Sequence, residues 1–143
     1  MTTNKDPHDL NRFISAQDKI YETVIKELKN GKKQTHWMWY IFPQIDGLGT
    51  SPTSKHYAIK SIEEAQEYLN HPVLGKRLLE CAEIVIALEG KSISEIFGFP
   101  DDLKLKSSMT LFAHVAKPSS IFARIIDKYF EKKKDVKTLY ILG

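Results

Sequence analysis

Apolar residues recur at three- and four-residue spacing along nearly the whole chain, and each run is bracketed by residues that start or stop a helix. Leu10, Phe13, Ile14, Ile20, Tyr21, Val24, Ile25 and Leu28 gather on one helical face, with Asn30-Gly31 as the stop, which predicts an amphipathic helix starting at Asp9. Ser61-Ile62-Glu63-Glu64 reads as a capping box ahead of Ala65, Tyr68 and Leu69. Pro72 suits the first turn of a helix whose buried stripe is Val73, Leu74, Leu78, Cys81, Ala82, Val85 and Ile86. A second capping box, Ser92-Ile93-Ser94-Glu95, opens a short helix that Gly98 and Pro100 end. Asp101 or Asp102 caps a segment carrying Leu105, Met109, Phe112, Ala113 and Ala116, and Lys117-Pro118 breaks it. Ser119 caps the next helix, with Ile121, Phe122, Ile125, Ile126, Tyr129 and Phe130, and residues 135–142 form a short helical terminal piece.

The exception is residues 32–58, which mix five aromatics with Pro43, Gly47, Gly49 and Pro52. Within it only Trp37 to Phe42 is rich enough in aromatic and β-branched residues to compete as a strand, and one strand cannot make a sheet. The pattern therefore predicts an all-α fold: a compact single-domain bundle of about six to eight helices with an ordered aromatic connector. Residues 1–8 read as a flexible leader and 9–143 as one globular helical domain, in keeping with a length of 143 and the prior of about 150 residues per domain. No repeat of fixed period is visible.

Composition narrows the function. Hydrophobic residues make up 42% against 27% charged, which excludes a disordered chain. A formal net charge of +3 is too modest for a polyanion binder, so nucleic acid is not the expected partner. A single cysteine, Cys81, allows no internal disulfide and no cysteine-based zinc site. The polar start and the lack of an apolar run near the roughly 20 residues needed to span a bilayer point to the cytoplasm and to no membrane partner.

Chemistry is expected first in the connector, because ordered connectors of this length are often functional. His36 stands beside Trp37 and Trp39, with Tyr40, Phe42 and Gln44 following. These rings either stack a ligand or fill the core, and His36 is either a general base, a phosphate contact or a hydrogen-bonded structural residue. Gly47-Leu48-Gly49-Thr50-Ser51 either wraps an anion, with Ser51 and Lys55 adding contacts, or simply turns the chain. The second segment is Asp101 to Phe112. There Lys106, Ser107 and Ser108 suit a phosphate or carboxylate, while the plainer reading is an aspartate cap, an Asp102–Lys106 surface pair and solvated or back-bonded serines. No zinc helix motif, nucleophile elbow or dinucleotide fingerprint is present, so no metal and no cofactor are expected.

Three blocks also carry a resemblance. They are His36-Trp37-Met38-Trp39-Tyr40-Ile41-Phe42-Pro43-Gln44 with Gly47-Leu48-Gly49; Tyr68-Leu69-Asn70-His71-Pro72-Val73-Leu74-Gly75; and Ile96-Phe97-Gly98 with Asp102-Leu103-Lys104 and Ser107 to Phe112. From Asp9 to Leu142 the chain resembles the bacterial family catalogued as domain of unknown function 1810. The resemblance implies a mainly helical, cytoplasmic single-domain protein with no assigned reaction. The calpastatin name carried by some members does not fit, since such an inhibitor would be disordered and repetitive.

Together these readings predict that the connector and the 102–112 helix meet in one pocket. Trp37 or Trp39, Tyr40 and Phe42 would line it, with His36, Gln44, Ser51, Lys55, Lys106, Ser107 and Ser108 as polar contacts. The expected function is binding of a phosphorylated or nucleotide-like small molecule. The alternatives are a hydrolase acting on a nucleotide or ADP-ribose derivative, with His36 or Asp102 as acid or base, and a protein-interaction module. The sequence sets no oligomeric state.

Overall fold

The computed structural model describes residues 6–143. The all-α expectation holds, with ten helices among the described residues: α1 (Asn11–Asp18), α2 (Tyr21–Lys29), α3 (Met38–Ile41), α4 (Pro52–Tyr57), α5 (Ile62–Asn70), α6 (Leu74–Ala87), α7 (Ile93–Phe97), α8 (Asp101–Val115), α9 (Ile121–Tyr129) and α10 (Val136–Leu142). No helix among the described residues is long and apolar enough to cross a membrane.

The count exceeds six to eight for two reasons. The run from Asp9 is two helices, because between Ile14 and Ile20 Ala16 is the only apolar residue and the stripe that would hold one straight helix lapses. The chain turns at Ile20, so α1 packs on α3 while α2 packs on α6. The connector contains two short helices, α3 and α4. Trp37 to Phe42 thus supplies a helical turn, and its neighbourhood holds only an isolated bridge between Ile45 and Ile59.

The core is built by α5, α6, α8 and α9, which pack on one another. Leu74, Leu78, Cys81, Ala82 and Val85 line α6, while Phe122, Ile125 and Ile126 meet it from α9. Helix α8 runs through the middle, touching α5, α7, α9 and α10, and residues 107–112 are all buried. With neighbours on most of its circumference, the middle of this helix keeps no broad solvent face to mark its amphipathicity, and three hydroxyls, on Ser107, Ser108 and Thr110, lie inside.

Start signals are met to different degrees. Ser92 and Glu95 form the full reciprocal capping box. Ser61 accepts from the Glu64 amide, but the Glu64 carboxylate takes the Lys60 amide and Arg12 instead. Helix α9 is capped by Ser120, one residue beyond the expected Ser119. Of the leader expected over residues 1–8, residues 1–5 lie outside the described part. Asp6 accepts from the amides of Leu10 and Asn11 at the start of α1.

Gly75, in the first turn of α6, is required by space. A Cβ there would lie 2.0 Å from the Leu69 carbonyl oxygen. Helix propensity alone predicts that Gly75→Ala gains about 1 kcal/mol. Because α5 and α6 cannot separate freely, the expected result is instead a loss of about 1–3 kcal/mol in chemical denaturation. A stabilised alanine variant would contradict this close approach.

Candidate functional site

The connector is fastened from below by Glu27 of α2, whose side chain is only 6% exposed. Its carboxylate accepts from the amides of Gln34 and Thr35, the Thr35 hydroxyl and the Trp37 indole N–H at 2.7–3.1 Å. Burial pushes the Glu27 carboxyl up, yet these hydrogen bonds to the charged form outweigh it and hold it below the ordinary range. Trp37 is wholly buried, wedged against Phe42 and Phe97. Gln17 of α1 donates to the Tyr40 carbonyl, and the Tyr40 ring meets Tyr57 at 5.2 Å. Burial, then the Tyr57 phenol, push the Tyr40 hydroxyl's pKa up, so it stays neutral in ordinary buffers.

The connector and α8 do meet. Lys33 pairs with Asp101 at 2.8 Å, Asp101 also faces Lys104, and the Lys104 ammonium lies 5.1 Å from the centre of the Trp39 ring. Trp39 and Gln44 border a crevice of about 10 Å³ with Gly49, Ser54 and Tyr57, which leaves room for no more than about one water.

The other expected site residues are dispersed. His36 is exposed, and its carbonyl accepts from the Tyr40 hydroxyl. Ser51 caps α4 by accepting from the Ser54 amide. Lys55 opens into a separate cleft with Arg12, His56 and Lys60. Asp102 accepts from the Ser94 hydroxyl and the Leu103 amide, and is buried rather than paired with Lys106 on the surface. The Ser108 hydroxyl is buried with no partner. His36 lines neither the groove beside Ser107 nor the cleft beside Lys55. Cys81 is a core residue whose thiol burial pushes up to about 12, which removes it as a nucleophile near neutrality.

Lys106 and Ser107 do border a groove, and the connector lines it through Leu48. Its volume is about 440 Å³, with Leu103 from α8 and Asp135, Val136 and Lys137 from the start of α10 completing the walls. A second depression of about 430 Å³ shares Leu48, Val136 and Lys137 and extends to Gly47, Tyr140 and Ile141. The wall is held by Asp135, which caps α10 through the Thr138 amide, takes the Ser107 hydroxyl at 3.1 Å, and donates its own amide to Thr110. Neither the Lys106 nor the Lys137 ammonium has an ion-pair partner among the described residues. Val136 and Tyr140 are 77% and 87% exposed.

The contribution of α10 was missed because a seven-residue helix gives little periodicity to read. The available signal was its composition: Val136, Leu139, Tyr140, Ile141 and Leu142 ring the helix, and one neighbour cannot cover all of them.

A helical domain with an internally anchored aromatic connector and a lysine-rimmed groove is what this fold and site define. The chain belongs to the family described as Protein of unknown function (DUF1810), whose model matches residues 7–142. It is similar to a conserved hypothetical protein, Rv1873, from Mycobacterium tuberculosis, with 50% identity and a TM-score of 0.94 over 96% of this chain and 98% of that one. No curated protein matches it.

Proposed function

We propose that this domain binds a phosphorylated, nucleotide-like small molecule in the groove between the connector, α8 and α10. The observation that carries this reading is the combination of two unpaired lysines, Lys106 and Lys137, with an apolar wall of Leu48, Leu103 and Val136 and the exposed Tyr140 ring beside them. The ammonium groups suit a phosphate and the ring suits the face of a base. The groove volume, about 440 Å³, falls in the range of small-molecule sites, about 300–1,000 Å³.

A panel of nucleoside mono- and diphosphates in a thermal-shift assay tests it. A ligand at about 100 times its dissociation constant stabilises the fold by about 2.7 kcal/mol, an easily read rise in Tm. Lys106→Ala is expected to weaken binding at least about tenfold, a loss of about 1.4 kcal/mol, while leaving the Tm of the free protein nearly unchanged. No shift at millimolar concentration from any member of the panel would contradict the reading.

The exposure of Leu103, Val136, Leu139, Tyr140 and Ile141 favours one other reading, a protein-interaction face. In that case Tyr140→Ala would abolish capture of a protein partner, and the nucleotide panel would be silent.

A further inference from the structure

The cleft that holds Lys55 lies apart from the groove, and its walls come from the turn before α1, from α4 and from the start of α5. Its floor is set by Arg12. The guanidinium donates to the carbonyls of His8, Asp9, His56 and Ala58 and to the Glu64 carboxylate at 2.6–2.9 Å, which uses all five of its N–H groups. Arg12 is therefore spent on joining the walls, and Glu64 balances its charge. Both oxygens of Glu64 are occupied, one by Arg12 and one by the Lys60 amide.

What remains unspent faces one concavity of about 540 Å³. Among the described residues the Lys55 ammonium has no hydrogen bond or ion pair, and neither imidazole, His8 or His56, donates or accepts one, although the His56 ring rests edge-on against Tyr57. Lys60 keeps its ammonium nearby, on the Lys55 carbonyl at 2.7 Å and 3.6 Å from Asp46. The Asp9 carboxylate is the one acid of the cleft with no partner among the described residues. Among the lining residues three cations face two carboxylates; Glu64 balances Arg12 and Asp46 lies against Lys60, so Lys55 and Asp9 are left as the uncompensated charges, one of each sign.

From this arrangement we infer that the cleft is a second binding site, for a phosphate monoester of a hydroxylated carrier such as a sugar or polyol. Lys55 and His56 take the phosphate, and Asp9 accepts a hydrogen bond from a carrier hydroxyl. The carboxylate repels an anion placed against it, so it orients the ester with its neutral end toward Asp9. Because Arg12 holds the walls in place before any ligand arrives, little ordering is needed on binding.

The test follows amide shifts of the isotope-labelled full chain during titration with glycerol phosphate, with glycerol as control. Saturable shifts are expected at residues 8–9, 55–56 and 60, with none from glycerol. Replacing exposed Lys55 and His56 together by alanine is expected to weaken binding at least about tenfold, whereas Lys106→Ala leaves it unchanged. The Lys106 arm separates this site from the groove, so either can fail alone. Absence of saturable shifts at about 10 mM glycerol phosphate would overturn the inference. So would unchanged affinity in the folded Lys55/His56 double variant.

Discussion

Arg12→Ala is expected to cost about 3–5 kcal/mol, because it leaves the buried Glu64 carboxylate without its Arg12 partner and takes the guanidinium donors from the carbonyls of His8, His56 and Ala58. The two side chains are 8% and 1% exposed, so water reaches neither easily. For a domain of this size the loss corresponds to a Tm lowered by about 10–20 °C. Arg12→Lys restores the charge but offers three donors from a point where five diverge, so most of the loss should remain. A double-mutant cycle with Glu64→Ala checks the cause. Glu64→Ala should cost less in the Arg12→Ala background than in the parent, and strict additivity would show that the two do not act together.

Glu27→Ala is expected to be of similar size, about 3–4 kcal/mol, since the Trp37 indole N–H is buried and the connector amides lose their acceptor. Glu27→Gln keeps one acceptor oxygen but turns an NH2 group toward the remaining donors, so it should retain part of the stability. The pH dependence has a definite sign. The folded carboxyl is held below its ordinary value of 4.5, so its contribution is complete above that pH and is lost as acid protonates the folded carboxylate. Denaturation midpoints measured from pH 6 down to about pH 3 should therefore fall more steeply in the parent than in Glu27→Ala. Parallel curves would remove Glu27 as the connector's anchor.

These two residues mark the limit of what was legible beforehand. The helices of the core followed from apolar spacing and from Ser and Asp caps, both of which depend on neighbours along the chain. Arg12 and Glu64 are 52 positions apart, and no local pattern pairs them. Glu64 read as a capping-box member, and the same carboxylate was recruited by Arg12. His71 likewise carried no visible signal, although its ring nitrogen accepts from the amides of Val73 and Leu74 and its carbonyl takes the Gly75 amide, so it caps the turn containing Pro72 that leads into α6.

The candidate site divided in the same way. That the connector meets α8 was readable from two polar-aromatic segments, and Leu48 does line a groove with Lys106 and Ser107. Which side chains face that groove depends on how α8 is turned among the helices packed around it. Ser108, one residue on, points into the core, and Trp37 is consumed by Glu27. The wall formed by α10 was not predicted, because its placement rests on Asp135 bonding to Ser107 and Thr110 across the fold.

Crystals of the protein grown with saturating adenosine monophosphate would show whether the groove takes a nucleotide-like ligand. Density is expected for the phosphate within about 3 Å of the Lys106 or Lys137 ammonium and for the base against the Tyr140 ring. Clear density with the groove empty, or with the nucleotide seated elsewhere on the molecule, would contradict that reading.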